Sequence, residues 1–153
     1  MTSKARIITI IGLLLLIALV IGACSTEPAT DPETDYQTAR AYEEGEGVPK
    51  NFTEAVHWYR KAAMQRHARA QCAVGFAYAN GWGVPENFTE AYAWYILAKA
   101  TGELTEEETE TLEEDITDLR NELTSTQITQ AQQRATELHE QIQANIAQKD
   151  QAN

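Results

Sequence analysis

The sequence predicts an all-α protein, a short α-solenoid of two helix-turn-helix repeats plus a C-terminal helical hairpin. Three observations carry this. Residues 41–62 recur without a gap at 77–98, 36 positions later, with 14 of 22 aligned residues identical, whereas segments of average composition would share roughly one or two. Each copy holds a Gly-x-Gly-Val-Pro turn followed by Asn-Phe-Thr-Glu, a helix stop and then a helix start. Beyond each start, apolar residues fall at i, i+3, i+4 and i+7, one face of a helix. A fixed period in this range marks helix pairs that stack side by side.

The chain opens on an address. Lys4 and Arg6 precede an apolar run from Ile7 to Ile21, which ends in Gly22-Ala23-Cys24. A basic start, an apolar stretch and small residues before a cut site describe a signal peptide over 1–23. The run is short for a spanning helix, which needs roughly 20 residues; an uncleaved inner-membrane signal anchor is the alternative. Residues 24–35 hold two prolines and little apolar surface, and read as an extended tether.

Repeat one spans 36–66. Ala39 and Tyr42 share a face of its first helix, and Gly45 ends it, because a left-handed cap residue favours glycine. Gly47-Val48-Pro49 shapes the turn, with Pro49 barring simple continuation. Asn51 is an N-cap and Glu54 stands in the capping-box position. Ala55, Trp58, Tyr59 and Ala62 form the stripe of the second helix. Repeat two, 67–102, copies this logic. Val74, Gly75 and Tyr78 line its first helix, and Gly75 lets a neighbouring helix approach. Gly81 and Gly83 flank the turn, Asn87 caps, and Ala91, Trp94, Tyr95 and Ala98 form the stripe, closed by Gly102.

Residues 103–153 lack a third copy but still read as two helices. Thr105 with Glu108 makes a capping box, and Leu112, Ile116, Leu119 and Leu123 recur on one face. A second helix starts at Thr124, with Gln127 in the box position and a Leu123–Ile128 staple. Ile128, Ala131, Ala135, Leu138 and Ile142 continue its seam. Two repeats bury little core, and arrays need about three units plus a cap; this pair is expected to cover the apolar side of repeat two.

Removing 1–23 leaves 130 residues, enough for one domain, with 10 basic against 23 acidic side chains. Residues 36–102 are near neutral, 7 basic to 6 acidic, while 103–153 carry 3 basic to 13 acidic. Nucleic acid needs concentrated Lys and Arg and is not expected as a partner. With Cys24 processed, Cys72 has no intrachain disulfide partner and reads as a small buried apolar residue. His57, His67 and His139 lack metal-ligand spacing, and no nucleophile elbow, phosphate loop or paired-Cys motif occurs. No catalytic residue, metal or cofactor is expected, and the chain is read as no enzyme.

The twice-present pattern Gly-x-Gly-Val-Pro-x-Asn-Phe-x-Glu-Ala-x-x-Trp-Tyr resembles the Sel-one-like repeat, a tetratricopeptide-like helix pair. Its first copy is matched by Gly45, Gly47, Val48, Ala55, Trp58, Tyr59, Lys61, Ala62 and Ala63. Its second is matched by Gly75, Tyr78, Gly81, Gly83, Val84, Ala91, Trp94, Tyr95 and Ala98. Thr38-Ala39 departs from the family's Leu-Gly, and Arg66 stands where Gly normally ends the second helix, so that junction is expected to be remodelled. Ile21-Gly22-Ala23-Cys24 resembles the bacterial lipoprotein box, which implies lipidation at Cys24; Ser25 after it implies the outer membrane, facing the periplasm.

The resemblance implies a protein-binding adaptor or scaffold, here lipid-anchored in the bacterial envelope, with another envelope protein as partner. Small-ligand binding or hydrolysis of the β-lactam kind is one alternative, implied by cysteine-rich relatives. A structural homo-oligomer is another, since two repeats leave stack ends exposed. Tyr42, Trp58, Tyr59, Ala62, Trp94, Tyr95 and Ala98 are read as core, while His57, Arg60, Lys61, Arg66 and Arg69, with His67, form a candidate cationic rim for an acidic peptide or for the chain's own acidic helices.

Overall fold

The computed structural model describes residues 30–152, so the apolar leader, Cys24 and most of the tether lie outside the described residues. Among the described residues six helices follow one another, α1 (Pro32–Glu44), α2 (Phe52–Ala63), α3 (Ala68–Asn80), α4 (Phe88–Thr101), α5 (Glu106–Glu122) and α6 (Ser125–Ala152). Among the described residues there is no strand. None of these helices is long and apolar enough to cross a membrane.

Local chemistry sets the boundaries. Gly45 (φ 81°) and Gly81 (φ 67°) end α1 and α3 in the left-handed region. Asn51 Oδ1 accepts from the backbone of Thr53 and Glu54, and Asn87 Oδ1 from Glu90. The expected reciprocal bond from Glu54 gives way to another. The Asn51 N–H donates to the Tyr42 carbonyl at 2.8 Å, and the Asn87 N–H to that of Tyr78 at 2.9 Å. Each turn thus ties the start of its second helix to the end of its first. Thr105 with Glu108 forms a full capping box. Thr124 with Gln127 does the same for α6.

Two boundaries differ from the sequence reading. The first helix starts at Pro32, not near Tyr36. Asp31 caps it by accepting from Thr34, and Pro32 occupies the first turn, where its missing N–H costs nothing. The junction after α2 is not remodelled; Arg66 itself takes the left-handed conformation (φ 70°) that glycine takes elsewhere.

Packing runs α1 on α2, α2 on α3 and α3 on α4, and both C-terminal helices then lean on α4. Their close contacts are to α4 rather than chiefly to each other, so the hairpin straddles the last repeat helix and covers the C-terminal end of the stack. The core has two parts. One joins Ala39, Ala55, Tyr59, Ala62 and Val74 to Trp94, Leu97, Leu138 and Ile142. The other joins Ala91, Tyr92, Tyr95 and Ala98 to Leu112, Leu119, Leu123, Ala131 and Ala135. Helix α6 serves both. Its first half covers repeat two, and its second half reaches repeat one, where Lys149 Nζ donates to Gln65 Oε1 at 3.0 Å.

Asp35, a residue the sequence did not single out, is fully buried and pins α1 to α2. It accepts from Thr30 and from Gln65 Nε2 at 2.9 Å, and Lys61 Nζ stands 3.5 Å away.

Candidate functional site

A concavity of about 480 Å³ lies between α1, α3 and α5. Helix periodicity builds it. Arg69, Cys72, Ala73 and Phe76 stand at i, i+3, i+4 and i+7 of α3, opposite the face that carries Val74 and Gly75 inward. Tyr36 and Glu43 come from one face of α1; Glu108, Thr111, Leu112 and Asp115 come from one face of α5. Leu104 and Tyr95 close the floor. Helix α5 therefore continues the row begun by α1 and α3, although it carries no copy of the repeat motif.

Two large apolar side chains stand exposed beside this cleft, Phe76 and Trp82, each 41% accessible. Their rings meet edge to face at 5.2 Å, and Trp82 lies 4.9 Å from Phe52. A shallow recess lined by Glu43, Tyr59, Ala73, Phe76 and Trp82 continues the cleft toward them.

The electrostatics of the walls are acidic. Glu43, Glu107, Glu108 and Asp115 line the cleft, against one cation, Arg69. That cation is already held, with Nε 2.6 Å from Glu108 Oε1. The Thr105 backbone N–H, its hydroxyl and Arg69 hold Glu108 below the usual carboxylate range. Burial pushes Asp115 the other way; the neighbouring Asp118 and Glu114 add to this, and the Tyr95 hydroxyl offsets part of it. Burial, then the charges of Glu108 and Asp115, push the Cys72 thiol up to about 12. A thiol kept protonated is no nucleophile near neutrality. No three His, Cys, Asp or Glu side chains converge as a metal site among the described residues.

The Sel1 repeat family model matches residues 32–67 and again 68–102. The chain carries two Sel1 repeats. Proteins with Sel1 repeats generally mediate protein–protein interaction. Among solved structures, the chain is similar to a protective antigen present in uropathogenic Escherichia coli strains that displays an SLR fold. The identity is 26% and the TM-score 0.65, over 73% of this chain and 23% of that one. It is also similar to a Sel1 repeat protein from Oxalobacter formigenes, 30% identical with a TM-score of 0.52, over 57% of this chain and 62% of that one. The chain thus spans under a quarter of the first relative and less than two thirds of the second. Among curated proteins, none matches it.

The Sel1 core residues named from sequence occupy distinct environments. Trp94, Tyr59 and Tyr95 are nearly inaccessible, and Ala62 and Ala98 fully so. Trp58 was expected in the core beside Trp94 but is only half-buried. Trp94 shares its cluster with Leu138 and Ile142 of α6, which overlies α4. Trp58 packs at the edge, with Lys61 Nζ 4.4 Å above its ring and His57 edge-on at 5.7 Å. Tyr42 and Tyr78 are half-buried. Gly47 and Gly83 hold positive φ of 73° and 72°. Cys72, read as buried, is half-buried on the cleft wall.

The residues named as a cationic rim do not form one surface. Arg60 lies over the Tyr78 ring at 5.2 Å, Lys61 turns to Asp35, and Arg66 Nε stands 3.8 Å from Glu103. Of the five, only Arg69 enters the cleft. Arg66 and Arg69 both meet carboxylates of the acidic C-terminal part. The cleft itself escaped sequence reading. One signal was present: the turn position that is Glu46 in the first repeat is Trp82 in the second, a large apolar departure at an exposed place.

Proposed function

We propose that the chain is an adaptor that seats a segment of a partner protein in the α1/α3/α5 cleft, with no catalysis of its own. One observation carries this reading, the open cleft of about 480 Å³ with a floor of Ala73, Phe76, Leu104 and Leu112. The family's general use in protein–protein contact supports it. The proposal extends to location. Cys24 carries a lipid, and the adaptor works at the bacterial envelope, on the periplasmic side of the outer membrane. The lipoprotein-like Ile21-Gly22-Ala23-Cys24 supports this. A β-lactam-like ligand is anionic and would face the carboxylates that dominate the walls.

A photo-crosslinking residue at Phe76, tested in intact cells, should give discrete adducts that the same residue at Glu140, on the exposed face of α6, does not. Equal adducts at both places would defeat the cleft as the docking face. For the lipid, labelled palmitate should enter the wild type and not Cys24→Ala; equal labelling, or none in either, rejects the anchor.

A further inference from the structure

We infer that the partner segment seated in this cleft is cationic: an extended stretch with Lys or Arg at each end and an apolar side chain between them. The inference rests on the docking reading above and adds the chemistry of the occupant. The apolar floor is flanked by carboxylates on opposite sides, Glu43 on α1 and Glu107 with Asp115 on α5. Glu43 keeps one oxygen beyond its bond from the Tyr59 hydroxyl at 2.6 Å. The lone lining cation, Arg69, is engaged by Glu108 and offers little to an acidic partner.

The aromatic end has the same preference. Exposed indole and phenyl faces attract cations, and this surface already holds one, with Lys50 Nζ 4.7 Å from the Phe52 ring centre. Further out, α5 carries nine acidic residues against Arg120, and the whole chain is at −11. Such a field speeds the approach of cations and repels anions. Geometry sets the spacing. Directly packed helix axes lie about 8–10 Å apart, and α1 and α5 stand on opposite sides of an open cleft with α3 between them, so their separation is at least two such spacings, about 16–20 Å. An extended chain rises about 3.3 Å per residue and spans that with five or six residues. Lys or Arg at that separation would reach both walls while the residue between them meets Ala73 and Phe76.

The test uses the full chain in mild detergent and three labelled octapeptides. One carries Lys at positions 2 and 7 around a central Leu, the second replaces both Lys with Glu, and the third places the two Lys side by side. Binding is read by anisotropy and by the emission of Trp82, with Trp82→Phe as the spectral control. The spaced Lys peptide should bind at least tenfold tighter than the Glu peptide and severalfold tighter than the adjacent-Lys peptide. It should weaken steeply with salt. Glu107→Gln with Asp115→Asn should weaken it severalfold, and Phe76→Ala should remove most of it. Should Phe76→Ala fail to fold, the exposed Glu107→Lys serves in its place. Equal binding of the Glu peptide, or Lys-peptide binding untouched by these variants, overturns the inference. If no peptide binds while the Phe76 crosslink persists in cells, the charge preference fails and the docking reading stands.

Discussion

Gly75 faces the Tyr95 ring across the α3–α4 contact so closely that a Cβ at 75 would lie 2.5 Å from the Tyr95 Cδ1 and Cε1 atoms. The same Cβ would lie 3.2 Å from the Ala91 carbonyl oxygen. The missing side chain therefore lets the two helices of repeat two touch. Gly75→Ala should destabilise the protein by about 1–3 kcal/mol through overpacking, even though alanine favours an isolated helix by about 1 kcal/mol. Urea unfolding measures the balance; a raised midpoint would mean the contact is looser than described.

The two turns offer a controlled comparison. Gly47 and Gly83 occupy equivalent positions with nearly equal φ, so alanine is strained at both. A Cβ at Gly47 meets nothing within 4 Å, whereas one at Gly83 would lie 2.3 Å from the Phe52 carbonyl oxygen. Gly83→Ala should therefore cost at least about 1 kcal/mol more than Gly47→Ala, the range in which overpacking falls. Equal losses in thermal or urea melts would contradict the close packing of this turn on the start of α2.

Arg66 is the only non-glycine residue with positive φ among the described residues. An L side chain there costs about 1–2 kcal/mol, partly balanced by the extra chain entropy that glycine gives up on folding. Arg66→Gly should be more stable than Arg66→Ala by roughly 1 kcal/mol. Both variants lose the exposed Glu103 contact, so that contact cancels in the comparison.

Alkaline pH should destabilise the protein from the point where ordinary, exposed phenols begin to titrate. Burial, then the hydrogen bond to Glu43, raises Tyr59, and burial raises Tyr95. In the folded state both phenols hold their protons above pH 10, while in the unfolded chain they release them near 10. The unfolded state then binds fewer protons, so stability falls as pH rises from about 10. Cys72, raised for the same reason, adds the same slope from about pH 9 upward. The thermal midpoint should drop across this window, and less steeply in Tyr95→Phe. A flat profile to pH 11 would contradict the burial of these phenols.

What the sequence made legible was local chemistry repeated at a fixed offset. Gly45 and Gly81, Asn51 and Asn87, and the boxes at Thr105 and Thr124 each act within a few residues, and each stands where the pattern put it. The start at Pro32 was equally local, written in Asp31-Pro32, but hidden by the composition of the preceding stretch. The cleft was harder to see. Its α3 face carries one large apolar residue, Phe76, and its α5 face is a run of carboxylates that alone describes a solvated surface. Only the placement of α5 beside α3 turns the two into one site. The split of the cationic rim has a similar cause, since Lys61, Arg66 and Arg69 point to different neighbours once α2 and α3 turn against each other.

The reach of α6 has a consequence for the size of the molecule. Its 28 residues extend about 42 Å, of which about 37 Å separate the turn at Thr124 from Lys149 at the Gln65 contact. Open-ended arrays grow by splicing in further units, because each unit touches only its neighbours. A unit spliced in after Gly102 here would carry the root of α6 away from Gln65 by the width of a helix pair. Leu138 and Ile142 would then face the newcomer instead of Trp94 and Leu97. The closing helix thus acts as a ruler, and the length it measures is two units.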